Sequence, residues 1–364
     1  MKRALFLLMV AFPLSCGILG DPCLWVHEDK HPLNYDPAVD EDHVYFISDT
    51  RDEVLCLDRF TGKTKWIYKL NLKFIVPRTE IRYVRMIPAS KSLVFNYRNK
   101  IHSFDKSDGR PIWIYSDDRL LSVPTVYNNE VYIGSMSEIL VLDLETGELV
   151  KRLSVGRGIV IFIVVQDKHA FFTAISSDDE GKDRFKDLVC LDIETGETLW
   201  KRRYAANSAP IPVVDGPHVF YIDRFDNGDD VLSCLDAASG KVVWEFVHGG
   251  PIVSAGCNVD YRCPYVDADS VYASLGEDGV FRIDRATGKL DWQYQCSWAS
   301  FRVAASANQV YFTTIDRIRC LDKAKGSLQW EYEVWETFHP PVIKGDHLYL
   351  ADERKLIAMH IKSP

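Results

Sequence analysis

The chain of 364 residues has no surplus of positive charge: 43 Lys and Arg stand against 52 Asp and Glu, a formal net charge of -9. Loss of Lys2 and Arg3 with a leader would take this to about −11. Such a surface has no general attraction for phosphate backbones, so nucleic acid is not an expected partner. No Asn-x-Ser/Thr sequon occurs, which favours a bacterial envelope over a eukaryotic secretory route. Cys-x-x-Cys metal spacing, a Cys-Cys dipeptide, a Gly-x-Ser-x-Gly elbow and a phosphate loop are also missing. Beyond the N-terminus no stretch is long and apolar enough to span a bilayer.

What is present begins with MKRALFLLMVAFPLSCGILG. Two cations, an apolar run from Ala4 to Pro13 and then small residues form the layout of a secretory signal. Leu14-Ser15-Cys16-Gly17 resembles a bacterial lipobox, with Pro13 at a position where that motif usually has Leu. The expected organisation is a lipoprotein-type signal peptide over residues 1–15, lipidation at Cys16 and a short tether over 16–23. One propeller domain over 24–361 follows. Eight residues separate Cys16 from Trp25, so the tether reaches at most about 30 Å from the membrane. A content of 47% hydrophobic and 12% aromatic residues is ample for a large core.

The core is announced by a repeat. CLDRFTGKTKW from Cys56 recurs as SFDKSDGRPIW from Ser103, VLDLETGELVK from Val141 and CLDIETGETLW from Cys190. It returns as CLDAASGKVVW from Cys234, RIDRATGKLDW from Arg282 and CLDKAKGSLQW from Cys320. The aligned Asp residues are 58, 105, 143, 192, 236, 284 and 322, spaced by 38 to 49 residues. Most copies follow an alternating aromatic and β-branched run such as HVYFIS at 43 or QVYFTT at 309, and before that a short Pro-x-Val strand such as Pro124-Thr125-Val126. Each unit thus supplies about four short strands divided by turn signals, which is one propeller blade. In the Asp-x-x-x-Gly segment, Asp accepts backbone N–H groups and Gly takes positive φ without steric cost, which closes a tight hairpin.

An eighth unit, HLYLADERKLIAMHI over residues 347–361, has His360 where the other copies have Asp, and it then stops. Its missing outer strand stands at the other end of the chain in Leu24-Trp25-Val26-His27. The expected fold is therefore all-β: an eight-bladed β-propeller of four-stranded antiparallel blades, its last blade closed by an N-terminal strand around Trp25. Trp25, Trp66, Trp113, Trp200, Trp244, Trp292 and Trp330 take one structural docking role, and Lys151 replaces the Trp in blade 3.

The pattern Ala-x-Asp-x-x-Thr-Gly-x-x-x-Trp resembles the tryptophan-docking repeat of the pyrroloquinoline-quinone (PQQ)-like β-propellers over nearly all of residues 24–361. Among exported eight-bladed members of this length, the chain is most similar to the BamB family of outer-membrane assembly lipoproteins. That resemblance implies a non-catalytic scaffold supporting insertion of β-barrel proteins into the outer membrane. It also implies a BamA-like barrel assembly complex as partner and attachment to the periplasmic face of the outer membrane by a lipid anchor. An envelope ligand-binding or sensory propeller is the alternative. A PQQ-dependent dehydrogenase is disfavoured, since those enzymes resemble one another in an adjacent Cys pair and a calcium-binding acidic cluster; no cofactor is expected.

Cys56, Cys190, Cys234 and Cys320 share one repeat position, so they are expected as small buried thiols and not as disulfides. Cys257 and Cys263 lie close enough in sequence to form one disulfide. His43, His169, His218 and His347 all open the same strand in different blades, so they are read as repeat residues and no metal centre is expected. Asp178-Asp179-Glu180 and Asp226-Asn227-Gly228-Asp229-Asp230 lack ordered calcium-ligand spacing and are expected at solvated tips. Function is expected in the connections between blades, where Arg78, Arg119, Arg157, Arg203, Trp298, Arg302 and Trp335 form the candidate partner-binding face.

Overall fold

The computed structural model describes residues 23–361 except 30–32, 34, 49–51, 71–83, 98, 118, 120–121, 178–183, 205–210, 225–228, 250–262, 275–277, 297–302, 335–338 and 353. Six of its sheets have four strands and one has seven. All strand pairs are antiparallel between chain neighbours, except that Cys23–Glu28 pairs with Lys355–His360 from the opposite end of the chain. Blade 1 runs over residues 38–69, blade 2 over 86–116, blade 5 over 213–248, blade 6 over 265–294 and blade 7 over 304–333. Blade 8 joins residues 342–360 to the strand Cys23–Glu28.

Blades 3 and 4 share the seven-stranded sheet because the 18-residue strand Leu149–Gln166 serves both. Its first part pairs with Met136–Asp143 as the outer strand of blade 3, and its second part pairs with His169–Ser177 as the inner strand of blade 4. Eight four-stranded units result. A loop was expected around Arg157, whereas the backbone there continues as strand. The segment VGRGIVIFIVV contains no Pro and is rich in β-branched residues, while Gly156 (φ 82) and Gly158 (φ 140) absorb the change of direction.

Packing explains the composition. The second strand of each blade lies between two neighbouring blades, so Ser92–Tyr97 and Ser270–Ser274 are buried at every position. The outer strand faces a neighbour on one side and solvent on the other, so in Thr64–Lys69 Trp66 is the buried residue. The core is consequently a ring of inter-blade layers. Val94 and Ile101 of blade 2 meet Ile133 and Leu140 of blade 3, and Tyr311 and Cys320 of blade 7 meet Leu348 and Met359 of blade 8. The inner strand of blade 8 contacts those of blades 1 and 7, closing the circle.

The repeat residues perform the same joint from the boundary of blades 1 and 2 to that of blades 6 and 7. The indole Nε1 of Trp66 donates to the carbonyl of Lys106 at 2.8 Å, that of Trp200 to Ala237 at 2.8 Å and that of Trp244 to Arg285 at 2.9 Å. Each acceptor is the residue after the hairpin Asp of the next blade. Lys151 keeps the geometry without the ring: its ammonium donates to Ile193, the equivalent carbonyl, and to Glu194. Trp25 donates to Arg59 at 3.0 Å, so the N-terminal strand docks blade 8 onto blade 1 as a covalently continuous blade would.

Candidate docking face

Antiparallel connectivity divides the turns between two faces of the disc. One carries the Asp-Gly hairpins together with the turns between first and second strands. The other carries the turns between second and third strands and the connections from one blade to the next, and is called the connection face below. In blades 1 to 7 the hairpins are chemically uniform. Asp58 Oδ1 accepts from Thr61 N at 2.9 Å and Thr61 Oγ1 at 2.8 Å, and equivalent bonds recur at Asp143, Asp192, Asp236 and Asp284. These carboxylates are consumed by their own turns.

The four repeat cysteines face inward. Each is paired across the sheet with a Trp, Cys56 with Trp66, Cys190 with Trp200, Cys234 with Trp244 and Cys320 with Trp330, and each is a buried free thiol. Burial pushes all four up to about 12, which removes thiolate reactivity at neutral pH. Cys257 lies outside the described residues, so its expected bridge to Cys263 does too. Asp230, expected at a solvated tip, is instead buried at the start of its strand, opposite His248.

The inner strands enclose a central channel of about 630 Å³. Its described lining is dominated by Val, Ile, Pro and Ala from all eight blades, with Asp36 and Arg85 as its charged members. Such a wall offers apolar contact and few directed hydrogen bonds.

On the connection face, Arg119, Arg157 and Arg203 are the described members of the predicted set; Arg78, Trp298, Arg302 and Trp335 lie outside the described residues. Arg119 is bound in place. It makes two bonds to Asp117, 2.9 and 2.8 Å, and one to Glu138 at 2.6 Å. The Arg119 guanidinium holds the Asp117 carboxyl well below the usual carboxylate range. Arg203 bonds Asp187 at 3.1 Å and lies 4.1 Å above the ring of Phe185, while Lys201 reaches the other oxygen of the fully buried Asp187 at 2.8 Å. Arg157 is exposed on the strand shared by blades 3 and 4. The three described residues therefore do not converge on one point; they stand apart along the rim of blades 2 to 4.

Two clefts open between blades on this face. One, of about 500 Å³, lies between blades 6 and 7 and is lined by Tyr294, Cys296, Thr314, Ile315, Asp316 and Arg319. The other, of about 340 Å³, lies between blades 7 and 8 and includes Val26, Arg317, Glu333, Val334 and Ile357. The turn at 314–316 separates them. Arg317 bonds Glu331 at 2.7 Å and Glu333 at 3.2 Å, and Arg319 bonds Glu331 at 3.1 Å, giving a charged wall beside the exposed Ile315. Cys296 and Val334 directly precede the stretches that contain Trp298 and Trp335. Sequence reasoning missed Ile315, Arg317 and Arg319 because it searched between repeats; the sign was an Ile in a turn bounded by Thr and Asp, where the repeat otherwise places polar tips.

A family profile described as outer membrane protein assembly factor BamB matches residues 184–337, a span ending in the connection after blade 7. Among solved structures, BamB from Moraxella catarrhalis is 15% identical with a TM-score of 0.67, covering 94% of this chain and 98% of that one. The quinohemoprotein alcohol dehydrogenase from Comamonas testosteroni is 13% identical with a TM-score of 0.68, covering 94% and 77%. Sqt1 from Saccharomyces cerevisiae is 9% identical with a TM-score of 0.70, covering 94% and 100%. No curated protein sequence matches the chain. At these identities the structural likeness establishes the propeller fold, which quinoproteins and other propellers share.

Proposed function

We propose that this PQQ-like β-propeller, similar to BamB in its repeat and in its fold, is a non-catalytic envelope scaffold that docks a component of outer-membrane β-barrel assembly. The observation that carries this reading is an overlap: the span matched by the BamB profile, 184–337, includes the two clefts' central turn at 314–316 and both off-repeat tryptophans, Trp298 and Trp335. A rim of fixed ion pairs beside an accessible apolar residue suits protein docking, because the charges orient a partner and apolar burial holds it. Arg319 and Arg317 are held by Glu331, so their donors are already oriented and little side-chain entropy remains to be lost.

The proposed non-catalytic role is in keeping with the chemistry of the described channel wall. Reaction of a polar quinone needs directed donors and charged groups around it, and the described wall is mostly aliphatic. The proposed attachment is through a lipid on Cys16, at the periplasmic face of the outer membrane. Purification of the full chain from detergent-solubilised bacterial membranes tests the scaffold reading. Recovery of a BamA-like barrel protein is expected, and its absence while the chain remains membrane-bound would overturn the proposal. Cys16→Ala is expected to move the chain into the soluble periplasmic fraction; unchanged membrane association would exclude the lipid anchor.

A further inference from the structure

The eighth blade breaks the repeat on the hairpin face. In blades 1, 4 and 5 a His opens the second strand and faces the hairpin Asp across the sheet: His43 faces Asp58, His169 faces Asp192 and His218 faces Asp236. In blade 8 the corresponding pair is His347 and His360. Blade 8 has no hairpin after this position, because the next strand comes from the N-terminus. The carboxylate that would cap that hairpin is therefore free to be replaced, and here it is replaced by a second imidazole.

We propose that Asp346, His347 and His360 form a site for one divalent transition-metal ion of the zinc, nickel or copper(II) class. The two imidazoles are stacked with centroids 5.0 Å apart, and ligand atoms of all three side chains lie within 4.8 Å of one another. Asp346 Oδ1 and His347 Nδ1 form a 2.8 Å ion-pair contact; adjacent ligand atoms on one ion with bonds of about 2.0–2.1 Å stand about 2.9–3.4 Å apart, so these two need open by only a few tenths of an ångström to share it. His360 Nδ1 is buried and makes no hydrogen bond, and in the tautomer protonated at Nε2 it carries a lone pair that an ion can take. Ligand atoms on one ion can be at most about 4.2 Å apart at such bond lengths, so a small rotation of one side chain completes the set. Imidazole nitrogen selects transition metals over calcium or magnesium.

The surroundings set the site's character. His347 is 7% exposed and its ring packs edge-on against Phe60 of blade 1, 5.8 Å away, while Asp346 is open to solvent. Water can complete the coordination from the Asp346 side. Arg59 lies nearby, with Nη1 donating to Lys344 O at 2.9 Å, and its charge weakens attraction for a dication. An ion here would tie the second strand of blade 8 to its third, the strand on which Cys23–Glu28 pairs. Its role would be to brace the one blade that lacks covalent continuity.

Calorimetric titration of the metal-free full chain with zinc chloride, and separately nickel chloride, tests the site, with thermal melting followed in parallel. One equivalent of tight binding and a rise in melting temperature are expected. His360→Gln and the solvent-exposed Asp346→Asn should each weaken that binding at least tenfold, while the melting temperature of the metal-free Asp346→Asn protein stays unchanged. Equal affinity in both variants, or no one-equivalent binding to the unaltered chain, would overturn the proposal.

Discussion

At the Trp66 indole, two blades meet in one side chain: the ring packs against Tyr45 of its own blade at 6.1 Å, and its N–H reaches Lys106 of the next. The ring also lies over Gly109, where a Cβ would meet it at 2.5 Å and where φ is +73. Both halves of the joint are therefore sensitive to substitution. Trp66→Ala should cost about 3–5 kcal/mol in denaturant unfolding, by cavity formation and a lost bond. Gly109→Ala should cost at least about 1–2 kcal/mol from backbone strain, with the ring displacement added. The sequence placed Trp and Gly in the repeat and thereby showed that they were structural. It did not show that they touch across a blade boundary, because repeat alignment registers each unit against itself. Lys151 illustrates the same limit: its chemistry differs from Trp, yet its ammonium finds the same carbonyl.

At the scale of the element, the Asp-Gly hairpin gathers an electrostatic cost when it is acidified. The Ser107 hydroxyl and N–H hold Asp105 below its usual value, the Ser239 and Thr287 groups do so for Asp236 and Asp284, and the backbone N–H groups of Thr146 and Thr195 lead at Asp143 and Asp192. A carboxyl whose value is depressed on folding contributes stability that is complete above its unfolded value of about 4 and lost as pH falls through the folded value. Urea midpoints should therefore be level from pH 7 to about pH 5 and fall steadily below pH 4. A midpoint unchanged at pH 3 would contradict the assignment. The hairpins were legible in the sequence because Asp, Gly and their spacing act locally. The strand Leu149–Gln166 was not, because its continuity depends on both blades pairing with one backbone. Arg119 and Arg203 were read as available for a partner, whereas Asp117, Glu138 and Asp187 hold them; the pairings with Glu138 and Asp187, made with residues distant in the chain, leave no mark in a single sequence.

At the scale of the molecule, closure by Cys23–Glu28 decides whether the disc is one cooperative ring. Trp25 is buried, packs against Tyr349 at 6.1 Å and bonds the first blade's hairpin. Trp25→Ala should destabilise the chain about as much as Trp66→Ala, and it should also raise amide exchange along Lys355–His360, whose partner strand is loosened. Unchanged exchange there would mean that closure does not depend on this side chain. The ring was legible because the incomplete eighth unit and the isolated Trp strand complement each other. The two clefts flanking 314–316 were not, since they arise from the angle between finished blades.

The docking claim is tested most directly by placing a photoreactive phenylalanine analogue at Ile315, on the connection face, and at Phe60, a more exposed apolar residue on the hairpin face. After irradiation of intact bacterial cells, the account predicts a covalent adduct with a barrel-assembly protein from position 315 and none from position 60. Adducts from position 60 alone, or none with a barrel-assembly protein from position 315 in a folded, membrane-bound chain, would contradict it.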